Sequence, residues 1–186
     1  MLLLTGEFVR VGINPDVIPV GVIVFGGAMS VVIMLIHGAG LDRIVNRYKK
    51  KAEMLRKKKR HPKLAAFVFG GTILLMLLLH MAETCLWGVV LNRAGLVPNV
   101  RNAIYFAANT YTTLAYGDML LPHNWRELSP IIAMSGLFTF AWTTSELFNV
   151  VGYQHDLQND LSSRRHKEAT GEPMNRDVSG QGSGER

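Results

Sequence analysis

Three stretches of the chain are apolar almost without a break. Residues 17–36 (VIPVGVIVFGGAMSVVIMLI), 64–79 (LAAFVFGGTILLMLLL) and 130–145 (PIIAMSGLFTFAWTTS) carry no ionisable side chain. About 20 apolar residues in a helix cross the ~30 Å hydrocarbon layer, at a rise of 1.5 Å per residue. The first stretch has that length. The second continues to about residue 91, with His80 and Glu83 in its farther part. The third runs from about Pro130 to Val151 and contains Glu146. The pattern predicts an all-α membrane protein with three spanning helices. Its segments are a first helix within 1–36, a basic loop over 37–63, a two-helix module over 64–152, and a tail over 153–186. The tail is polar and glycine-rich from about Ser162 and is expected to be mostly disordered. Residues 153–161 are open to continuing the third helix.

Charge adds orientation. The chain has 186 residues and a formal net charge of +6, and eleven of its twenty Lys and Arg lie within 43–63. Before the first helix there is only Arg10, and 92–129 holds only Arg93, Arg101 and Arg126. Basic residues of short loops stay in the cytoplasm. The first helix therefore runs inward, the second outward and the third inward, in a multi-pass protein of the inner or plasma membrane. The N-terminus is then outside and the C-terminus cytoplasmic. No basic region precedes the first apolar run, so it reads as a retained helix and not as a signal peptide. The 43–63 loop is a solvated topogenic loop, a patch for anionic lipid headgroups, or both. Aromatic stacking residues are missing from it except Tyr48, so no nucleic-acid partner is expected. Cys85, the single cysteine, cannot form an intrachain disulfide and reads as a small core residue. No Ser/His/Asp or HExxH-type arrangement points to an enzyme, and no cofactor is implied.

The informative stretch is 101–118 (RNAIYFAANTYTTLAYGD). Ile104, Ala107 and Ala108 recur at helical spacing, and Asn102 is a candidate N-cap. This helix is too short to span. It enters and leaves on one side, as a re-entrant segment that needs burial in protein or a water-filled path beside it.

After it come Thr112, Thr113, Leu114, Ala115, Tyr116, Gly117 and Asp118. This run resembles the T-T-x-G-Y-G-D filter of the potassium-channel pore-loop family. Pro122 and an inward-running helix with Gly136 follow, as in that family, and the resemblance covers about 64–152. It implies a homotetramer around a central pore, with the second helix outside and the third lining the pore. Backbone carbonyls of Thr113, Leu114, Ala115 and Tyr116 would replace the hydration shell of a permeating K+. Tyr116 would pack outward near Tyr105 and Phe106. Asn109, Thr112 and Asp118 would support the filter, and Gly136 would be the inner-helix hinge. The first helix lies outside the resemblance, on the periphery, with Gly26 and Ser30 as a small-residue docking face.

Ala115 stands where the family has its first filter glycine. Either the assembly holds Ala115 in a left-handed conformation, or a peptide flips and a carbonyl ring is lost. The first outcome gives a tetrameric potassium-channel-like cation channel. The second gives a non-conducting or weakly selective membrane subunit that keeps the pore fold. Glu83 is expected near the outer interface, accepting hydrogen bonds from the loop. A metal site at His80 and Glu83 lacks matching carboxylates on other helices, so no metal beyond the permeating cation is expected. Four Glu146 carboxylates would concentrate cations below the filter, or pack as protonated acids. Trp87 and Trp125 fit an outer aromatic belt, and Trp142 fits packing inside the third helix.

Overall fold

The computed structural model describes residues 20–57 and 62–170. The chain forms α1 (Val20–Lys57), α2 (Pro62–Arg93), α3 (Val100–Tyr111), a 3-10 turn (His123–Trp125) and α4 (Leu128–Thr170). Helices α1, α2 and α4 are each long and apolar enough to cross a membrane, and less than a third of each apolar window is buried within the chain. Val24, Leu35, Leu74, Leu78, Leu137 and Phe138 are exposed. In water such surface is unfavourable; against lipid or a second subunit it is not. The protein is a multi-pass membrane protein.

Two helices differ from their expected lengths. The stretch 37–57, expected as loop, is helix, and α1 has 38 residues. Its buried positions include Ile33, His37, Leu41, Val45, Tyr48, Ala52 and Leu55, spaced by three or four. That seam passes unbroken from the apolar into the basic part, leaving the Lys and Arg on the outer face. Lys, Arg, Leu, Ala, Met and Glu are also strong helix formers. Helix α4 has 43 residues, so the expected disorder from Ser162 is corrected as far as Thr170. At 1.5 Å per residue it is about 64 Å long, twice the hydrocarbon thickness. The segment before Val20 with Arg10, residues 58–61 of the basic loop and the polar tail from 171 to 186, expected as disordered, lie outside the described residues.

The cores explain both extensions. One core joins Ile33, Trp87, Leu91, Phe106, Tyr111, Leu128 and Ile132. The other joins Leu41, Val45, Tyr48 and Leu55 of α1 with Met76 of α2 and Val150, Leu157 and Leu161 of α4. Burying those leucines stabilises helix beyond the bilayer by roughly 1.5–3 kcal/mol each. Tyr48 donates to Gln154 Oε1 at 2.8 Å, and Arg56 donates to Asp160 Oδ2 at 2.9 Å. Close approach at the other end comes from Gly26, where a Cβ would lie 2.8 Å from Leu128 Cδ1. Ser30 is buried on the same face. The first helix thus docks closely on α4 at Gly26, one of the two small residues expected of it.

Helix α2 starts at Pro62, whose fixed φ and missing N–H suit a first turn. It ends in a left-handed Gly95, with Leu96 N–H donating to Leu91 O at 3.0 Å. Helix α3 starts at Asn99, whose side chain accepts from Arg101 N at 2.8 Å. Asn99, and not Asn102, is the cap, because its extended backbone after Pro98 frees the side chain to turn back. Trp87 is fully buried and donates Nε1–H to Ser135 Oγ at 3.1 Å, so it belongs to the core and not to an interfacial belt. Trp125 meets Phe25 edge-on at 6.0 Å. Cys85 is exposed, not in the core: the α2 face carrying it is turned away from the other helices.

Candidate functional site

The 112–118 loop leaves the C-terminal end of α3. Leu114 and Ala115 both donate their N–H to Asn109 O, at 2.8 and 3.2 Å. Thr112 donates its N–H and its hydroxyl to Ala108 O, at 3.0 and 2.7 Å. Thr113, Ala115 and Gly117 have φ of 61°, 45° and 75°. An extended strand alternates its residues between two sides. A left-handed residue at every second position interrupts that alternation. Gly117 takes this conformation freely. Ala115 and Thr113 bear about 1–2 kcal/mol each, strain that persists only where the surroundings enforce it. Residues 112–118 are all exposed in the single chain, Tyr116 at 68%.

Beneath this loop the packing is close. Tyr111, the last residue of α3, is 1% exposed. A Cβ at Gly136 would overlap the Tyr111 carbonyl oxygen, and a Cβ at Gly88 would lie 2.7 Å from Ile104 Cα. Only glycine lets α4 and α2 come this near to α3.

Tyr111 also enters a buried polar cluster. Its hydroxyl donates to Glu83 Oε2 at 2.6 Å and meets Thr139 Oγ1 at 2.6 Å. Glu83 Oε1 lies 2.8 Å from His37 Nδ1. The Nε2 atoms of His37 and His80 lie 3.1 and 3.0 Å from one hydroxyl, that of Thr143. His80 Nδ1 is 3.3 Å from the Tyr111 hydroxyl, and its ring stacks on Phe140 at 4.3 Å. All four helices contribute. The cluster lies between the two apolar cores, directly below the loop. Unpaired polar groups at this depth cost several kcal/mol each, which is why the side chains turn to one another.

The expected site residues separate into two groups. Thr112, Thr113, Leu114, Ala115, Tyr116, Gly117 and Asp118 lie together in the loop, with Asn109 beneath. Asn109 is buried, its Nδ2 has no partner among the described residues, and Asp118 lines the same cavity of about 300 Å³. Phe106 and Tyr116 line that cavity too, whereas Tyr105 is 42% exposed. Glu83 is 1% exposed and faces inward to Tyr111 and His37. Gly136 meets the end of α3. Glu146 is half-buried farther down α4, with Asn149 Nδ2 at 3.4 Å, and joins neither group.

Sequence reasoning missed His37, Tyr111, Thr139 and Thr143. His37 was placed at the start of a loop. Its position four residues after Ile33 and four before Leu41, on one helical seam, was the available signal. Tyr111 read as the residue before a motif, and the threonines as part of an apolar run.

An ion channel family model matches residues 64–153. No curated protein and no solved structure matches the chain.

Proposed function

We propose that this chain, whose residues 64–153 form a domain of the ion channel family, assembles as a homotetramer conducting potassium through four 112–118 loops. The alternation of left-handed residues at Thr113, Ala115 and Gly117 carries the reading. A filter lined by backbone carbonyls needs backbone angles outside the ordinary strand, and left-handed residues supply such angles. Ala115 adopts them despite its Cβ, and this favours a conducting filter over the altered, non-conducting one.

One chain supplies one loop, so closure needs cyclic symmetry. The exposed loop, the cavity behind Tyr116 and the unpartnered Asn109 Nδ2 fit a surface completed by neighbouring copies. In this assembly α4 lines the pore, α2 lies outside it and α1 is peripheral. The basic end of α1 faces the cytoplasm and anionic lipid headgroups. Glu146, on the inner half of the apolar part of α4, adds negative charge below the filter.

Reversal potentials of the purified protein in a planar bilayer, under opposed potassium and sodium gradients, test the reading. A reversal near the potassium equilibrium potential is expected. Current without discrimination between the two ions contradicts the filter.

A further inference from the structure

The cluster below the loop is one hydrogen short of a complete set of contacts. Glu83, His37, Thr143, His80 and Tyr111 form a closed ring of contacts: Glu83 to His37 at 2.8 Å, His37 to Thr143 at 3.1 Å, Thr143 to His80 at 3.0 Å, His80 to Tyr111 at 3.3 Å and Tyr111 to Glu83 at 2.6 Å. Five contacts need five hydrogens. Each neutral imidazole brings one N–H, Thr143 and Tyr111 bring one O–H each, and an ionised carboxylate brings none. Four hydrogens are present, whichever tautomers the histidines take. One contact therefore sets lone pair against lone pair, in a membrane interior where a net negative charge is costly.

We propose that His37, His80 and Glu83 bind a zinc-class transition-metal dication at this position. One ligand atom from each lies within 4.8 Å of the others. The two Nε2 atoms are held by Thr143, which turns both Nδ1 atoms toward the carboxylate. Glu83 Oε1 is 2.8 Å from His37 Nδ1, and Glu83 Oε2 is 3.7 Å from His80 Nδ1. These separations bracket the roughly 3.3 Å between ligands in a tetrahedral site with bonds of about 2.0–2.1 Å. Two imidazoles and one carboxylate suit zinc-class ions, whereas calcium and magnesium take all-oxygen sets. Tyr111 Oη, at the same spot, or a water fills the fourth position. Thr143 plays the orienting part that ligand histidines commonly need on their other nitrogen. The metal ties α1 to α2 beneath the end of α3, so α1 becomes part of the support of the loop.

The test is metal content of the untagged full chain in detergent, after equilibration with buffered Zn2+ or with Co2+ as a visible probe. It reads binding whether or not the protein conducts. We expect one equivalent per chain above the content of the His37→Gln, His80→Gln and Glu83→Gln variants, and a Co2+ spectrum of low coordination number. Zn2+ raises the thermal midpoint of the wild type and Mg2+ does not. Thr143→Val keeps all three ligands and lowers Zn2+ affinity about 10–100-fold, which keeps the test sharp if a ligand variant fails to fold. Wild type binding no more metal than the ligand variants overturns the proposal and leaves a proton to complete the ring of contacts. Thr143→Val with unchanged affinity overturns it as well.

Discussion

Gly136 of α4 lies so close to the Tyr111 carbonyl that no Cβ fits between them. The contact fixes where α3 ends, and so where the 112–118 loop begins. A glycine there has a packing reason that does not depend on hinge motion.

Gly136→Ala forces α4 and α3 apart. Overpacking of this kind costs about 1–3 kcal/mol. The expected outcome is a lower thermal midpoint in detergent together with reduced ion flux. A variant with wild-type stability and flux would show that the contact is dispensable.

Tyr111→Phe removes the donor to Glu83 Oε2 and leaves a buried carboxylate oxygen under-satisfied, at about 1–3 kcal/mol. Equilibrium unfolding should show that loss. Because Tyr111 joins α3 to both Glu83 and Thr139, the variants Tyr111→Phe and Thr139→Val should be less than additive. Additive losses would argue against one connected network.

Asp160 lies beyond the apolar part of α4, between Arg56 and Arg164. Its partial burial opposes ionisation, but the two guanidinium groups outweigh this and hold its carboxyl below the usual value. A folded-state pKa that is depressed contributes stability above the unfolded value of about 3.9, and that stability is lost as pH falls through the folded value. The pair is partly exposed, so its contribution is about 0–1 kcal/mol. Asp160→Asn should lower stability by no more than that at neutral pH. The difference should shrink in high salt and vanish in acid, as unfolding curves across pH would read.

Lys49, Lys50 and Lys51 are exposed near the end of α1. If they hold anionic headgroups, replacing all three by Gln weakens retention of anionic lipid by about 1 kcal/mol per residue. Native mass spectrometry of bound lipid measures this. Equal retention would reduce the basic segment to its part in orientation.

The three long helices and the short helix between the second and third were legible because long apolar runs, and a short run too polar to cross, leave few alternatives in a bilayer. The 112–118 loop was legible from its motif. The helical ends at Lys57 and Thr170 were not, because the charge of the basic segment hid a seam that runs from Ile33 to Leu55. Glu83 was singled out, but its partners were not. They lie 46 residues away at His37 and 28 away at Tyr111, and no local pattern links such positions. The left-handed Ala115 was open in sequence, since only the surrounding chain decides whether an L-residue tolerates that backbone.

Potassium flux into liposomes, measured side by side for the wild type and Ala115→Gly, tests the central claim most directly. Wild-type flux is expected, and Ala115→Gly should keep or raise it by relieving the strain at this position. No flux from the wild type, with flux restored in Ala115→Gly, would contradict conduction through the native loop.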